Sequence, residues 1–220
     1  MKKAFTMLEL VFVIVVAGIL AAAIIPNTRT NPLQEAAVQV LSDIRYTQHL
    51  AIVDDKYNAT DANWYKKRWQ ILFSSNGGSG GEMGYTIFSD NTGASSGNPD
   101  VLEIAMNPID SSKVLTGGFN SLDVTLDIND VGFVGTNKLN IGKSYGVTNL
   151  TFSNTCSVGG STRIAFDHLG RPIKGNLSTN NQAYDNLDLI QMDCNITLYA
   201  GADSLSIIIA PETGYARIDF

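Results

Sequence analysis

The first 26 residues constrain this chain most: MKKAFTMLELVFVIVVAGILAAAIIP. Lys2 and Lys3 lead an almost purely apolar run that one acid, Glu9, interrupts. Leu10 to Ile25 is sixteen residues without a charge, and counting from Phe5 gives 21. About 20 helical residues are needed to cross ~30 Å of hydrocarbon. The basic start predicts a cytoplasmic N-terminus, with the rest of the chain on the far side. Three readings compete. One is a secretory signal peptide with Ala21-Ala22-Ala23 as its small-residue cleavage site. The second is a plain signal anchor, and the third is a leader cut ahead of the apolar run. Glu9 separates them, because an acid inside an apolar helix costs ~2.5–3.5 kcal/mol at its centre and marks function. Neither of the first two readings needs it.

The stretch Ala4-Phe5-Thr6-Met7-Leu8-Glu9 resembles the type IV pilin and pseudopilin family, whose motif is (G/A)-F-T-x-x-E at the head of a hydrophobic helix. The resemblance implies cleavage between Ala4 and Phe5 by prepilin peptidase, then N-methylation of Phe5. It also implies that Glu9 pairs with the N-terminal amine of a neighbouring subunit, since a buried carboxylate is tolerable beside a cation. Ala4 stands where the family more often has Gly. Pro26 stands where it often has a helix-bending proline, which removes a backbone hydrogen bond.

After a polar break at Asn27–Pro32, Leu33 to about Asp54 reads as an amphipathic helix. Leu33, Ala37, Val40, Leu41, Ile44, Thr47 and Ala51 recur at three- and four-residue steps. Asn31 suits its cap and Pro32 its first turn. Alternation predicts strands at Lys67–Ser74, Tyr85–Ser89, Val101–Met106, Asp123–Ile128, Lys138–Ile141 and Asn149–Phe152. Towards the end it predicts Arg163–Asp167, Cys194–Tyr199, Leu205–Ala210 and Tyr215–Asp219, with Gly-containing turns between. Ile164-x-Phe166-Asp167-x-x-Gly170-Arg171-Pro172 and Ile207-Ile208-Ile209-x-Pro211-x-Thr213-Gly214-Tyr215-x-Arg217-Ile218 are similar to the GspH/FimT-like minor pseudopilins. The region between Ser74 and Thr155 matches neither motif.

The expected fold is therefore α+β: a long N-terminal helix, its first half transmembrane, packed on an antiparallel β head as in the pilin fold. The expected divisions are a leader at 1–4, an assembly helix at 5–26, its amphipathic continuation at 27–54 and a β-rich periplasmic head at 55–220. The implied location is the bacterial inner membrane. The implied partners are other pilin or pseudopilin subunits, prepilin peptidase and inner-membrane lipid.

Chemistry outside Glu9 is sparse. His49 and His168 are too few for a metal triad. No HExxH, P-loop or CxxC is present, and no enzymatic activity or cofactor is expected. Asp127-Ile128-Asn129-Asp130-Val131-Gly132 looks like the start of a calcium loop, but Lys138 occupies the twelfth position where a carboxylate is required. An Asp/Asn turn explains it better. Cys156 and Cys194 either close a disulfide, as an oxidising compartment would favour, or remain buried thiols. Lys66, Lys67 and Arg68 stand between Trp64 and Trp69, a composition that can stack on single-stranded nucleic acid. It equally suits a solvated loop before a strand. The net charge of −6, or −8 without Lys2 and Lys3, opposes nucleic-acid binding. The expected function is that of a minor pseudopilin, a structural subunit that initiates or caps a filament of a type II secretion or type IV pilus machine. The alternative is a pilus-tip subunit that captures DNA.

Overall fold

The computed structural model describes residues 7–24, 31–91, 96–185 and 188–219. Two compact units divide the chain, Met1–Asn31 and Pro32–Phe220. The first holds helix α1 (Met7–Ile24) and the second opens with helix α2 (Pro32–Val53). The expected fold, with one long helix whose first half spans a membrane, is corrected here. Among the described residues no helix is long and apolar enough to cross a membrane. The physical reason lies in length: 18 residues at 1.5 Å each rise about 27 Å, short of ~30 Å. Glu9, in the first turn, shortens the uncharged part further. The expected bend at Pro26 lies outside the described residues.

The head is two four-stranded antiparallel sheets rather than one. The first has the order β2 (Met83–Ser89), β1 (Trp69–Ser75), β4 (Arg163–Phe166), β5 (Pro172–Lys174). The second has the order β3 (Asn149–Phe152), β6 (Cys194–Ala200), β7 (Asp203–Ile209), β8 (Ala216–Asp219). Leu33, Ala36, Ala37, Val40, Ile44 and Ala51 form the buried stripe of α2, spaced to share one face. They pack with Ile71, Phe73, Tyr85 and Ile87 of the first sheet and Ile196, Leu198, Ile207 and Ile209 of the second. Strand β1 is buried on both faces. Leu72 and Phe88 turn away from α2 into a second cluster with Ile104, Val114 and Leu126. The segment between β2 and α3 (Ile141–Tyr145) thus covers the outer face of the first sheet.

Three expected strands in that segment are something else. Val101–Glu103 is a 3₁₀ turn closed by a reciprocal Asp100/Glu103 capping box, followed by isolated bridges such as Phe88 to Ile104. At Val124–Leu126 another 3₁₀ turn forms because Asp123 accepts from the Thr125 N–H. Asn137–Leu139 leads into α3, whose cap Asn140 accepts from the Lys143 N–H. In each case a side chain offers the backbone a local partner that competes with the ladder.

Inside the core, the Tyr85 hydroxyl donates to Asp43 Oδ2 at 2.6 Å and Gln39 Nε2 donates to the same oxygen at 3.0 Å. Burial holds the Asp43 carboxyl above its ordinary 3.8, against the pull of those two hydrogen bonds. The folded state therefore binds this proton more tightly than the unfolded chain. That contribution is present below the unfolded value and is lost as pH rises through the folded one. Urea unfolding at pH 4 and pH 7 should show wild type gaining stability relative to Asp43→Asn at the lower pH. A pH-independent difference would contradict the assignment.

Candidate functional site

Helix α1 presents no polar face. Leu10, Val11, Phe12, Val13, Ile14 and Val15 are all exposed, and six consecutive residues point in every direction around a helix. A helix apolar on all sides is stable only when apolar neighbours surround it. Its single acid, Glu9, sits in the first turn, where the helix dipole favours a carboxylate. Ala4 and Phe5, the expected cleavage and methylation positions, lie outside the described residues.

The basic-aromatic stretch is folded inward. Trp64–Lys67 is a 3₁₀ turn leading into β1. Arg68 is buried, with its guanidinium 5.0 Å from the Trp64 ring and 4.7 Å from the Tyr184 ring. Its Nη1 donates to the Ala183 carbonyl at 2.8 Å. Desolvation pushes its pKa down, with Tyr184 and Asp167 acting the other way. Lys67 pairs with Asp61 at 2.7 Å, and Lys66 is half-buried. Trp69 is also engaged, donating its Nε1–H to Asp54 at 2.9 Å beneath the Lys56 ammonium. Arg68 and Lys67 are thus committed within the chain, and the ring faces that bases would stack on carry Arg68 and Lys56.

The fold joins the two C-terminal motifs at one side chain. Asp167 Oδ1 accepts from the Leu169 and Arg171 N–H groups, and its Oδ2 takes the Arg171 Nε–H at 2.8 Å. This closes the turn before β5. The second turn, Pro211–Gly214, precedes β8. Gln48 of α2 donates its Nε2 to the Gly170 carbonyl and to the Thr213 carbonyl, each at 2.8 Å. One amide therefore ties the helix to a turn from each sheet. Gly170 and Gly214 both have positive φ, +79° and +63°, and the glycines in the two motifs were the signal for this junction. Glu212 in the same turn has φ +57°, a conformation uncommon for a residue with a Cβ.

A second buried cation was not anticipated. Arg163 on β4 donates from Nη1 to the Gly97 carbonyl at 2.6 Å, Asn176 Oδ1 at 3.1 Å and Gln70 Oε1 at 3.2 Å. Burial lowers its pKa to about 10, with Asp90 opposing. Asp90 Oδ2 accepts the Gly97 N–H at 2.7 Å, so both charges hold one peptide segment against the sheet. Cys156 and Cys194 are joined by a disulfide, both buried, linking the turn after β3 to the start of β6. His49 and His168 are exposed and lie on different elements. Among the described residues no group of His, Cys, Asp and Glu could hold a metal ion.

No protein-family model, no curated protein and no solved structure matches the chain.

Proposed function

We propose that this chain is a minor pseudopilin, a structural subunit that enters a type II secretion or type IV pilus filament through α1. The observation that carries the reading is a helix apolar on every side with one acid in its first turn, directly after Ala4-Phe5-Thr6. Such a helix needs cover, and the helices of neighbouring subunits supply it without requiring a membrane-spanning length. Glu9 then meets a cation in a low-dielectric bundle, where an unpaired carboxylate would be costly. The disulfide supports an oxidising compartment for the head, as an exported filament subunit requires. The internal commitment of Arg68 and Lys67 favours this reading over DNA capture.

Glu9→Ala tests it. Because Glu9 belongs to a unit separate from the head, urea unfolding of the head should be unchanged. Incorporation into filaments, measured by co-purification with sheared filaments, should be lost. Normal incorporation of Glu9→Ala would sink the assembly role.

A further inference from the structure

The segment between β2 and α3 carries a surface that the assembly reading does not use. Its three most exposed large apolar side chains are Ile109, Leu122 and Val131. Each stands beside an aspartate in the chain: Ile109-Asp110, Leu122-Asp123 and Asp130-Val131. Each aspartate fixes its own turn. Asp110 Oδ1 accepts the Ser112 N–H at 3.0 Å, Asp123 Oδ1 the Thr125 N–H at 2.9 Å and Asp130 Oδ1 the Gly132 N–H at 2.7 Å. The Ser112 and Thr125 hydroxyls, which also donate to these oxygens, together with the N–H groups hold Asp110 and Asp123 below their ordinary range.

The three turns are neighbours. The Val114 N–H donates to the Val134 carbonyl, and the Val134 N–H donates to the Thr125 carbonyl. Lys113, which closes the Ile109 turn, donates its Nζ to the Phe133 carbonyl at 2.8 Å. Backbone bonding thus sets the Ile109 turn beside the Val131 turn, and that beside the turn of Leu122 and Val124. Residues 90–140 contain seven acids against Lys113 and Lys138, a net −5 within a chain of −6.

We propose that these turns form a docking surface for a basic polypeptide, one presenting apolar side chains among lysines or arginines. Exposed apolar groups cost solvation and mark interaction sites when clustered. Charge selects the occupant. Nucleic acid, an anionic lipid surface and a second copy of this acidic chain all carry the repelled sign, whereas a basic partner gains on-rate and orientation. Turns already fixed by their aspartates lose little conformational freedom on binding.

The test uses the full-length chain in a nonionic detergent and short synthetic peptides of equal length. One peptide alternates leucine with lysine, one leucine with glutamate and one serine with lysine. Fluorescence anisotropy should show binding of the leucine–lysine peptide only. The triple variant Ile109→Ser, Leu122→Ser, Val131→Ser, exposed throughout, should weaken it by about tenfold or more. The triple variant Asp110→Asn, Asp123→Asn, Asp130→Asn keeps the turn acceptors and should weaken binding and flatten its salt dependence. Undiminished affinity in either variant, or equal binding of the serine–lysine peptide, would overturn the proposal. So would self-association of the chain that the apolar variant abolishes, since that assigns the surface to a second copy.

Discussion

Replacing Gly214 with alanine should destabilise the head by roughly 2–5 kcal/mol, the sum of two separate effects. The first is backbone conformation. Gly214 has φ +63°, and a Cβ in the left-handed region costs about 1–2 kcal/mol. The second is contact. The new Cβ would lie 2.3 Å from the Gly170 carbonyl oxygen and 2.5 Å from Gln48 Nε2. Neither can give way easily, because they are bonded to each other at 2.8 Å. Forcing an atom into such a site costs a further ~1–3 kcal/mol. Gly201 supplies the control. It has a similar φ of +64° in the turn between β6 and β7, with nothing within 4 Å of its Cβ position. Gly201→Ala should therefore show the conformational cost alone, about 1–2 kcal/mol. Urea unfolding of the two variants separates the junction's contribution from the backbone's. Equal losses would mean that the two turns and Gln48 are not the tight junction described above.

Removing the disulfide should cost about 4 kcal/mol. Cys156 and Cys194 are 38 residues apart, and freeing a loop of that size returns roughly that much chain entropy to the unfolded state. Local bonds do not replace the link. The Ser153 N–H to Asn195 carbonyl bond, at 2.9 Å, and Thr155 Oγ1 to the Asp193 carbonyl, at 2.7 Å, hold the same strands together in the folded state but leave the unfolded chain unconstrained. The double variant Cys156→Ala, Cys194→Ala should shift the urea midpoint strongly, and a reductant should shift wild type but not the variant. A reductant-insensitive wild type would show the two sulfurs unbonded in solution.

These predictions rest on long-range pairings that were only partly legible in the sequence. The amphipathic stripe from Leu33 gave α2 almost to the residue, because apolar spacing is local information. Alternation likewise located the strands around Ile71, Ile87, Ile196 and Ile207. What alternation cannot show is partnership. Strand β1 pairs with β4, setting Ile71 opposite Ile164, across more than ninety residues, and this splits the head into two sheets. The strands expected at 101–106, 123–128 and 138–141 failed for a local reason. Asp100, Asp123 and Asn140 cap short turns, and Asx chemistry outweighed a weak period of two.

The candidate site divides in the same way. Glu9 was legible because an acid in an apolar run is conspicuous by itself. Arg68 looked solvent-facing because its sequence neighbours are lysines. Its true neighbours, Trp64 and Tyr184, include a ring more than a hundred residues away. Gln48 was unremarkable in sequence, since nothing local says that its amide meets two turns from different sheets. The apolar-acid pairs at Ile109, Leu122 and Val131 are visible as dipeptides, but only the hydrogen bonds among their turns place them together.

Mass spectrometry of the mature N-terminus, from cells that express prepilin peptidase, tests the proposed processing and assembly as a pseudopilin. The expected chain starts at N-methylated Phe5. A chain that retains Met1–Ala4, or one that begins after Ala23, would contradict it.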